Sequence, residues 1–370
     1  DLNDAYVFFS TNDGYLHAID PLTGIERWSF VPPEFLSEQV ILYKDDPVES
    51  KHYGIDGNLQ VQILADQDGV IEPEAGEKVY LFFGMRRGGS VYYALDITIP
   101  QSPRVLWRSD ASTLGGVGQT WSTPVPTRIN IQGEVQNENK LVLAVGGGYD
   151  TSQDAYAGSK DNSGNALYII DSESGALLWS ASNENADRNL DTMQYSFPSD
   201  LKVVDLDGDM FADRMYAADM GGQVWRFDIF NGETRGNLVN GGVIAQLGGA
   251  PATEPLVANN RRFYYSPDVA LVNDDNNSFL HIGIGSGHRA HPNGAVNQDR
   301  FFALRDYQAF TTKTQAEYDA TTPITDTDLT DVTDDIEALI PIGQPGWKIE
   351  LRDGGWRGEK VLAEARTFNN

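Results

Sequence analysis

The sequence predicts an all-β fold, a modified β-propeller with long loop insertions and little helix, formed as a single domain by residues 1–370. The composition and two repeated patterns support this prediction. Glycine accounts for 37 residues and aromatic residues for 11% of the chain, which is typical of a β-rich protein with many turns and a sizeable core. The two patterns recur at intervals that suit four-stranded repeats, and such repeats are typical of propeller blades.

The first pattern is a hairpin, and residues 4–32 give its clearest copy. Strands are predicted over residues 6–10 and 15–19, because alternating apolar residues flank an Asn-Asp-Gly turn at residues 12–14. A second turn then leads to a strand that contains Trp28. Copies of this pattern end in an aspartate at five positions: Asp20, Asp96, Asp171, Asp228 and Asp306.

The second pattern is an aromatic residue followed by Ser or Pro and then by an apolar strand. It begins at Trp121, Phe197 and Tyr264. A unit that combines both patterns has about four strands, as a propeller blade does. The seven tryptophans are expected to pack in the core and between blades. Trp356 is the exception, and we expect it to be exposed.

The units are unevenly spaced, so we expect insertions at residues 33–75, 146–165 and 307–345. In the last of these, a short helix is predicted over residues 333–339. Its aspartates are interpreted as a solvated acidic face, with a second cation site as the alternative: Asp326, Asp328, Asp331, Asp334 and Asp335. Residues 361–370 resemble the start of a strand, so the final blade is expected to be truncated.

An acidic turn between two predicted strands, residues 201–204 and 214–218, is the candidate site. It places carboxylates at positions 1, 3, 5 and 9 of a nine-residue loop: Asp205, Asp207, Asp209 and Asp213. Four carboxylates so close together repel one another unless a cation lies among them. Oxygen ligands at this spacing suit Ca²⁺, with the backbone carbonyl of Phe211 at position 7, whereas Mg²⁺ requires a tighter octahedron. The alternative is a solvated turn, since Asp and Gly both suit turn geometry.

Met210 occupies position 6 of this loop. That position is usually Gly, because the sharp turn favours a positive φ. A side chain in this conformation costs on the order of 1 kcal/mol. We therefore expect Met210 to weaken the affinity for the metal.

Composition excludes several function classes. The 54 acidic residues against 27 Lys plus Arg give a net charge of −27, which disfavours nucleic acid and anionic membranes as partners. The absence of Cys excludes disulfides, thiolate metal sites and a cysteine nucleophile. No apolar run approaches the ~18 residues of a membrane span, so we expect no membrane insertion.

No catalytic residues are predicted. The glycine-rich residues 146–150 lack the lysine and the following helix of a phosphate-binding loop. His17 and His281 lie in predicted strands and are expected to be structural. His288 and His291 lie in a loop, where a metal pair is the less favoured alternative.

Together, the repeats and the acidic loop resemble the C-terminal β-propeller domain of the PilY family, the type IV pilus biogenesis factors and tip-associated adhesins. The resembling segments follow the family's order over almost the whole chain: FFSTNDGYLHAIDPLTGIERWSFVP, HYGIDG, GQTWSTPVP, AVGGGYD, GNALYIIDSESGALLW, DLDGDMFADRMYAADMGGQVWRFD, IGIGSGH, RFFALRD and GW at Gly346. The resemblance implies seven blades and one calcium ion in the loop that begins at Asp205.

The resemblance also implies functions and partners. It implies calcium-regulated pilus extension and retraction, twitching motility and surface adhesion, at the bacterial cell surface or pilus after export through the periplasm and outer membrane. The implied partners are pilins or minor pilins and host or abiotic surface ligands. One alternative is a quinoprotein-type dehydrogenase, which holds pyrroloquinoline quinone and calcium on similar repeats, often beside a vicinal Cys pair that this chain lacks. The other is a purely structural calcium ion.

Overall fold

Five separate β-sheets make up the protein in the computed structural model, which describes residues 5–45, 47, 51–66, 68–134, 141–248, 257–274 and 277–368. We number them I to V in chain order. Strand pairing within each sheet is antiparallel, except at three short strands at the sheet edges. The all-β prediction is therefore confirmed, while the count of seven blades stays a prediction.

Sheets I and II follow each other directly along the chain. Sheet I has the order β1-β2-β3 and sheet II the order β4-β5-β6-β7. Their strands are β1 (Val7–Ser10), β2 (Leu16–Ile19), β3 (Glu26–Phe30), β4 (Leu59–Leu64), β5 (Lys78–Gly84), β6 (Tyr92–Asp96) and β7 (Arg104–Ser109).

Sheets III, IV and V each have five strands. Sheet III has the order β12-β11-β10-β9-β8 and consists of β8 (Val125–Thr127), β9 (Val142–Gly146), β10 (Ala166–Asp171), β11 (Leu177–Ser182) and β12 (Arg188–Asn189). Sheet IV has the order β13-β14-β15-β16-β20 and consists of β13 (Lys202–Val204), β14 (Arg214–Ala218), β15 (Gln223–Ile229), β16 (Val239–Gln246) and β20 (Ile324–Thr325). Sheet V has the order β17-β18-β19-β22-β21 and consists of β17 (Asp268–Asp274), β18 (Asn277–Gly285), β19 (Arg300–Asp306), β21 (Thr330–Asp331) and β22 (Gly346–Glu350).

Helices are few and short. The α-helices are α1 (Glu38–Lys44), α2 (Ala111–Leu114) and α3 (Gln315–Asp319). Short 3₁₀ turns occur at Pro33–Phe35, Pro73–Ala75, Arg86–Gly88, Thr151–Asp154, Arg235–Asn237, Val257–Asn259 and Asp326–Asp328. Among the residues that the structure describes, the longest helix has seven residues, and none could cross a lipid bilayer.

Four hydrophobic clusters join the sheets in chain order. Sheets I and II share the cluster around Phe83, sheets II and III the cluster around Phe82, and sheets III and IV the cluster around Trp225. Sheets IV and V share the cluster around Phe302. Each sheet therefore packs face to face on its successor, as propeller blades do.

The recurrent aspartates have a common structural role in four of their five copies. Each accepts a hydrogen bond from a backbone N–H two residues further on, which closes the turn after the strand. The donors are Leu22 to Asp20, Thr98 to Asp96, Glu173 to Asp171 and Gln308 to Asp306. The fifth copy, Asp228, instead binds two buried arginines.

The tryptophans of the first pattern connect neighbouring sheets. The indole N–H of Trp28 in sheet I donates to the carbonyl of Pro100, which lies in the turn between β6 and β7 of sheet II. Trp107 in sheet II donates to Ser172 in the equivalent turn of sheet III at 2.9 Å. The prediction of inter-blade packing agrees with these contacts. The prediction for Trp356 is wrong, because its ring is half-buried with Arg300 over its face.

Two predictions for the insertions are also wrong. Residues 333–339 form turns rather than a helix. The helix of that insertion is α3, where Thr314 and Glu317 form a reciprocal capping box. The first insertion, residues 33–75, contains α1 and the whole of β4, so part of it belongs to sheet II.

Candidate metal site

The acidic turn connects β13 to β14 at one edge of sheet IV, as the sequence predicted. The two strands pair directly, with Val204 opposite Arg214. The N–H of Asp213 donates to the carbonyl of Val204 at 2.9 Å, which continues the ladder into the turn. Both ends of the turn are therefore held by the sheet.

Three of the predicted ligands converge. Asp205, Asp207 and Asp209 are exposed, and each offers a carboxylate oxygen within 4.8 Å of those of the other two. In the described part of the chain this is the only such group of three acidic or histidine side chains, and none of the three carboxylates forms an ion pair with Lys or Arg. Their mutual repulsion is not offset by protein cations.

Backbone N–H groups of the turn orient these carboxylates. Asp205 accepts hydrogen bonds from the N–H groups of Gly208 at 2.7 Å and Met210 at 2.9 Å. Asp207 accepts from Asp209 at 3.1 Å, and Asp209 accepts from Phe211 at 2.8 Å. The turn therefore fixes the direction of all three side chains without any contribution from distant residues.

Asp213 lies closer to the sheet and is half-buried. One of its carboxylate oxygens accepts a hydrogen bond from the N–H of Leu206 at 2.6 Å. Burial raises the pKa of Asp213, and the negative charges of Asp207, Asp205 and Asp209 raise it further. The fourth carboxylate is thus electrostatically coupled to the other three, although it lies outside their group.

Met210 has a φ of +75° and its side chain is 65% exposed. The backbone at position 6 therefore takes the left-handed conformation that favours glycine, and the methionine gains little burial in return. Gly208, two residues earlier, also has a positive φ of +82°. The strain expected from the sequence is present at this position.

The donor set fits a hard, oxygen-preferring cation. Carboxylates that are preoriented, exposed and not paired with protein cations are suitable ligands for Ca²⁺. Phe211 is half-buried between Asp209 and Asp213, and the role of its carbonyl as a ligand stays a prediction.

The second acidic segment is arranged differently. Asp326 pairs with Arg300 at 2.6 Å and with Lys348 at 3.2 Å. Asp334 pairs with Arg352 at 3.0 Å, while Asp328 and Asp331 accept hydrogen bonds from nearby threonines. These carboxylates are bound by protein groups rather than directed toward one point, so they offer no cation site of the kind that the turn offers.

The two loop histidines each form a hydrogen bond to a neighbouring loop. The Nε2 atom of His288 donates to the carbonyl of Gln153 at 3.1 Å, and that of His291 donates to the carbonyl of Asp154 at 2.8 Å. The ring of Tyr156 stacks on His291 at 4.0 Å. Both imidazoles thus fasten the loop after β9 to the loop after β18.

A second group of charged residues was not predicted from the sequence. Arg86, Asp200 and Arg289 line a common pocket together with Trp121 and Tyr265. The signal was available in the second repeated pattern, because two of its three copies supply Trp121 and Asp200, and Tyr265 follows the start of the third. That pattern predicted strands but no functional site.

Consecutive sheets packed face to face, each with an antiparallel core of three or four strands, are typical of the β-propeller class of domain. Residues 3–242 match the model of the PilY1 beta-propeller domain family. The chain belongs to this family.

Several known proteins are similar to this chain. The type IV pilus biogenesis factor PilY1 of Pseudomonas aeruginosa strain UCBPP-PA14 is 25% identical over 364 residues, which cover 93% of this chain and 29% of that protein. A PilY1 homolog of Xylella fastidiosa is 27% identical over 233 residues, which cover 60% of this chain and 14% of the homolog. The chain thus spans less than a third of the length of these relatives.

A solved structure supports the same fold. The crystal structure of the Pseudomonas aeruginosa PilY1 C-terminal domain superposes with a TM-score of 0.64 at 20% sequence identity, and covers 97% of this chain and 73% of that chain. The predicted β-propeller class is confirmed by this match and by the family model.

Proposed function

We propose that this chain is the calcium-binding propeller of a type IV pilus biogenesis factor. In this proposal one Ca²⁺ ion is held by the carboxylates of Asp205, Asp207, Asp209 and Asp213 and by the carbonyl of Phe211. The ion supports calcium-dependent pilus extension and retraction, twitching motility and adhesion to surfaces. The protein acts at the bacterial cell surface or pilus, with pilins or minor pilins and host or abiotic surface ligands as its partners.

The convergence of three unpaired carboxylates within 4.8 Å is the observation that carries this proposal. The repulsion among them costs free energy in the folded protein, and a bound divalent cation removes that cost. Because the turn joins two paired strands, binding of the ion stabilises the edge of sheet IV by linkage. Family membership supplies the connection to pili, since the relatives are named as pilus biogenesis factors.

We favour a switch over a permanent structural ion. The turn is exposed, and the strain at Met210 opposes tight binding. An ion held with moderate affinity leaves when external calcium falls, and the surface of sheet IV then changes its charge and order. A structural ion would instead remain bound at all concentrations that the cell encounters.

An enzymatic role is disfavoured in this proposal. A quinoprotein-type cofactor site would need residues directed into an open funnel, whereas Trp28 and Trp107 are used in contacts between sheets. We therefore propose that the chain acts as a binding module.

Calcium titration by calorimetry, with thermal melting of the same samples, tests the proposal. The wild-type chain is compared with Asp209→Ala and with Asp353→Ala, which removes an exposed carboxylate outside the turn. We expect saturable binding and a calcium-dependent rise in Tm for wild type and Asp353→Ala, and neither for Asp209→Ala. Equal binding by all three proteins would place the ion elsewhere and contradict the proposed site.

A cellular experiment separates the switch from the structural ion. Asp205→Ala or Asp213→Ala is introduced into the full-length protein, and pilus extension, retraction and twitching are measured over a range of calcium concentrations. The proposal predicts that these variants lose the calcium response. A normal response in cells whose purified domain no longer binds calcium would eliminate the switch. Adhesion is tested apart from this, by binding of the calcium-loaded domain to coated surfaces.

A further inference from the structure

A pocket of about 230 Å³ lies where the first strands of four sheets begin. Asn58 precedes β4, Trp121 lies shortly before β8, Asp200 lies shortly before β13 and Ser266 lies shortly before β17. Each of these strands is the edge strand of its sheet, so the pocket lies where the four sheets converge. It is separate from the acidic turn, whose carboxylates are absent from its lining.

Two arginines form the basic side of this pocket. Arg86 and Arg289 both lie over the ring of Trp121, with guanidinium carbons 4.6 Å and 5.8 Å from its centroid. The Arg289 guanidinium donates to the hydroxyl of Tyr265 at 2.8 Å. Burial lowers the pKa of Arg86, and the positive charge of Arg289 lowers it further, which shows that the two cations repel each other.

The backbone of Arg86 is strained. Its φ is +51°, and it is one of four non-glycine residues with a positive φ among those described. A side chain in this conformation costs on the order of 1 kcal/mol. Backbone outliers of this kind cluster at binding sites.

Two carboxylates form the acidic side. Asp200 accepts a hydrogen bond from the N–H of Thr123 at 2.5 Å, and Glu364 is exposed at the rim. Burial raises the pKa of Asp200 to about 6, and the negative charge of Glu364 also raises it, while the positive charge of Arg86 opposes this. The two carboxylates are thus close enough to repel each other.

The opposite charges do not neutralise each other directly. Among the described residues, neither arginine forms an ion pair with Asp200 or Glu364 within 4.0 Å, and the only ion pair of Arg86 is a loose one with Asp56 at 3.6 Å. Arg289 has no carboxylate partner in the described part of the chain. The pocket therefore keeps cations on one side and anions on the other, at some distance from each other.

We propose that this pocket binds a small zwitterion that bears both a carboxylate and an ammonium group, such as a free amino acid. Its carboxylate is bound by Arg86 and Arg289, whose guanidinium groups suit bidentate recognition of a carboxylate. Its ammonium group lies between Asp200 and Glu364. Each half of the ligand relieves a repulsion between like charges that the protein itself does not neutralise within the pocket.

Calorimetric titration of the 370-residue chain tests this proposal with minimal probes. Glycine, L-alanine and L-phenylalanine carry both charges, acetate carries only the carboxylate and methylammonium only the ammonium group. We expect at least one amino acid to bind roughly tenfold or more tightly than acetate or methylammonium, because each half adds charge-assisted hydrogen bonds. No binding of any amino acid, or equal binding of acetate, would overturn the proposal.

Variants assign the two halves of the ligand. Arg289→Gln and Glu364→Gln are each expected to weaken amino-acid binding roughly tenfold, whereas Arg357→Gln, which changes an exposed arginine outside the pocket, leaves it unchanged. Glu364 is exposed and its replacement leaves the core intact, so this variant remains informative even if Arg289→Gln is unstable. Glu364→Gln should leave acetate binding unchanged or strengthen it. Amino-acid binding that is unaffected by either variant would contradict the site.

Discussion

The hydroxyl of Tyr318 donates a hydrogen bond of 2.7 Å to the carboxylate of Asp228. Both side chains are buried, Asp228 completely. Asp228 lies in β15 of sheet IV and also binds Arg214 at 2.7 Å and Arg226 at 3.0 Å. Tyr318 belongs to α3 in the insertion between β19 and β20, so this hydrogen bond fastens the insertion to the buried ionic network of sheet IV.

The variant Tyr318→Phe removes this hydrogen bond and little else. We expect the free energy of unfolding to fall by about 1–3 kcal/mol, because a hydrogen bond to a buried charge contributes about that much. Urea denaturation of the variant and wild type measures the change. Tyr43→Phe is the matched control, since Tyr43 is 92% exposed and its variant should be within about 0.5 kcal/mol of wild type. Equal stability of Tyr318→Phe and wild type would contradict the role of this contact.

Part of this arrangement could be predicted from the sequence. Asp228 was identified as a copy of the recurrent aspartate, because its hairpin follows the same pattern as the others. Its different role could not be predicted, since Tyr318 lies 90 residues away and the two arginines alternate with apolar residues on neighbouring strands. Helix α3 was not predicted from the sequence, although the capping box at Thr314 is a local signal for the start of a helix.

Asp219 provides a second prediction at the hairpin between β14 and β15. Its buried carboxylate accepts three hydrogen bonds, from the N–H groups of Gly221 and Gln223 and from the indole of Trp225, at 2.8 to 2.9 Å. In Asp219→Asn, the amide oxygen can still accept from the two backbone N–H groups. The amide N–H₂ group then faces the indole N–H of Trp225. We expect a loss of about 1–3 kcal/mol in the free energy of unfolding, because both donors are then buried without an acceptor.

A double-mutant cycle checks the physical reason for this loss. Trp225→Phe removes the indole N–H, so Asp219→Asn should cost less in that background than in wild type. Denaturation of the two single variants and the double variant gives the coupling free energy, which we expect to be about 1 kcal/mol or more. A cost that is the same in both backgrounds would mean that the indole contact is not the reason for the loss.

Met210→Gly tests the strain in the acidic turn. Relief of the positive φ gains on the order of 1 kcal/mol, while the greater freedom of glycine in the unfolded chain opposes it by about 0.5–1 kcal/mol. In calcium-free buffer we therefore expect a stability equal to wild type or higher by up to about 0.5 kcal/mol. Glycine adopts the positive φ of the folded turn without strain. Calorimetry should therefore show a calcium affinity equal to or higher than that of wild type.

Leu22→Gly is the control for that variant. Leu22 is 59% exposed in a turn and is not among the residues with a positive φ, so its replacement brings the entropic cost without the relief. We expect it to lower the free energy of unfolding by about 0.5–1 kcal/mol. If Met210→Gly were as destabilising as Leu22→Gly, the methionine backbone would not be strained.

The sequence predicted the acidic turn but not the pocket between the two arginines and Asp200. The turn is local, since its carboxylates are two residues apart and are oriented by N–H groups of the same loop. Spacing alone therefore predicted Asp205, Asp207 and Asp209 as one group. The pocket is formed by residues as far apart as Arg86 and Arg289, which the packing of successive sheets brings together. The repeated patterns show which segments are equivalent in neighbouring sheets. They do not show which charged side chains those segments bring close together.

His288 makes acid stability a further test of the fold. Its ring is 1% exposed, and it fastens the loop after β18 to Gln153. Burial, together with the positive charge of Arg262, lowers the pKa of His288 from 6.5 to about 4. Tyr156 and His291 contact the same ring, and the carboxylate of Asp154 lies close enough for the charge of His288 to lower the pKa of Asp154.

The direction of the pH effect follows from these pKa values. In the unfolded chain the imidazole binds a proton near pH 6.5, whereas the folded chain binds it only near pH 4. The unfolded state therefore holds more protons between these values, so the contribution of His288 is complete above pH 6.5 and is lost as the pH falls toward 4. Urea denaturation at successive pH values should show a shallower decline for His288→Gln than for wild type across this window, even though the variant is less stable at pH 7. Parallel declines would show that His288 takes up its proton at the same pH in both states, and would contradict the lowered pKa in the folded protein.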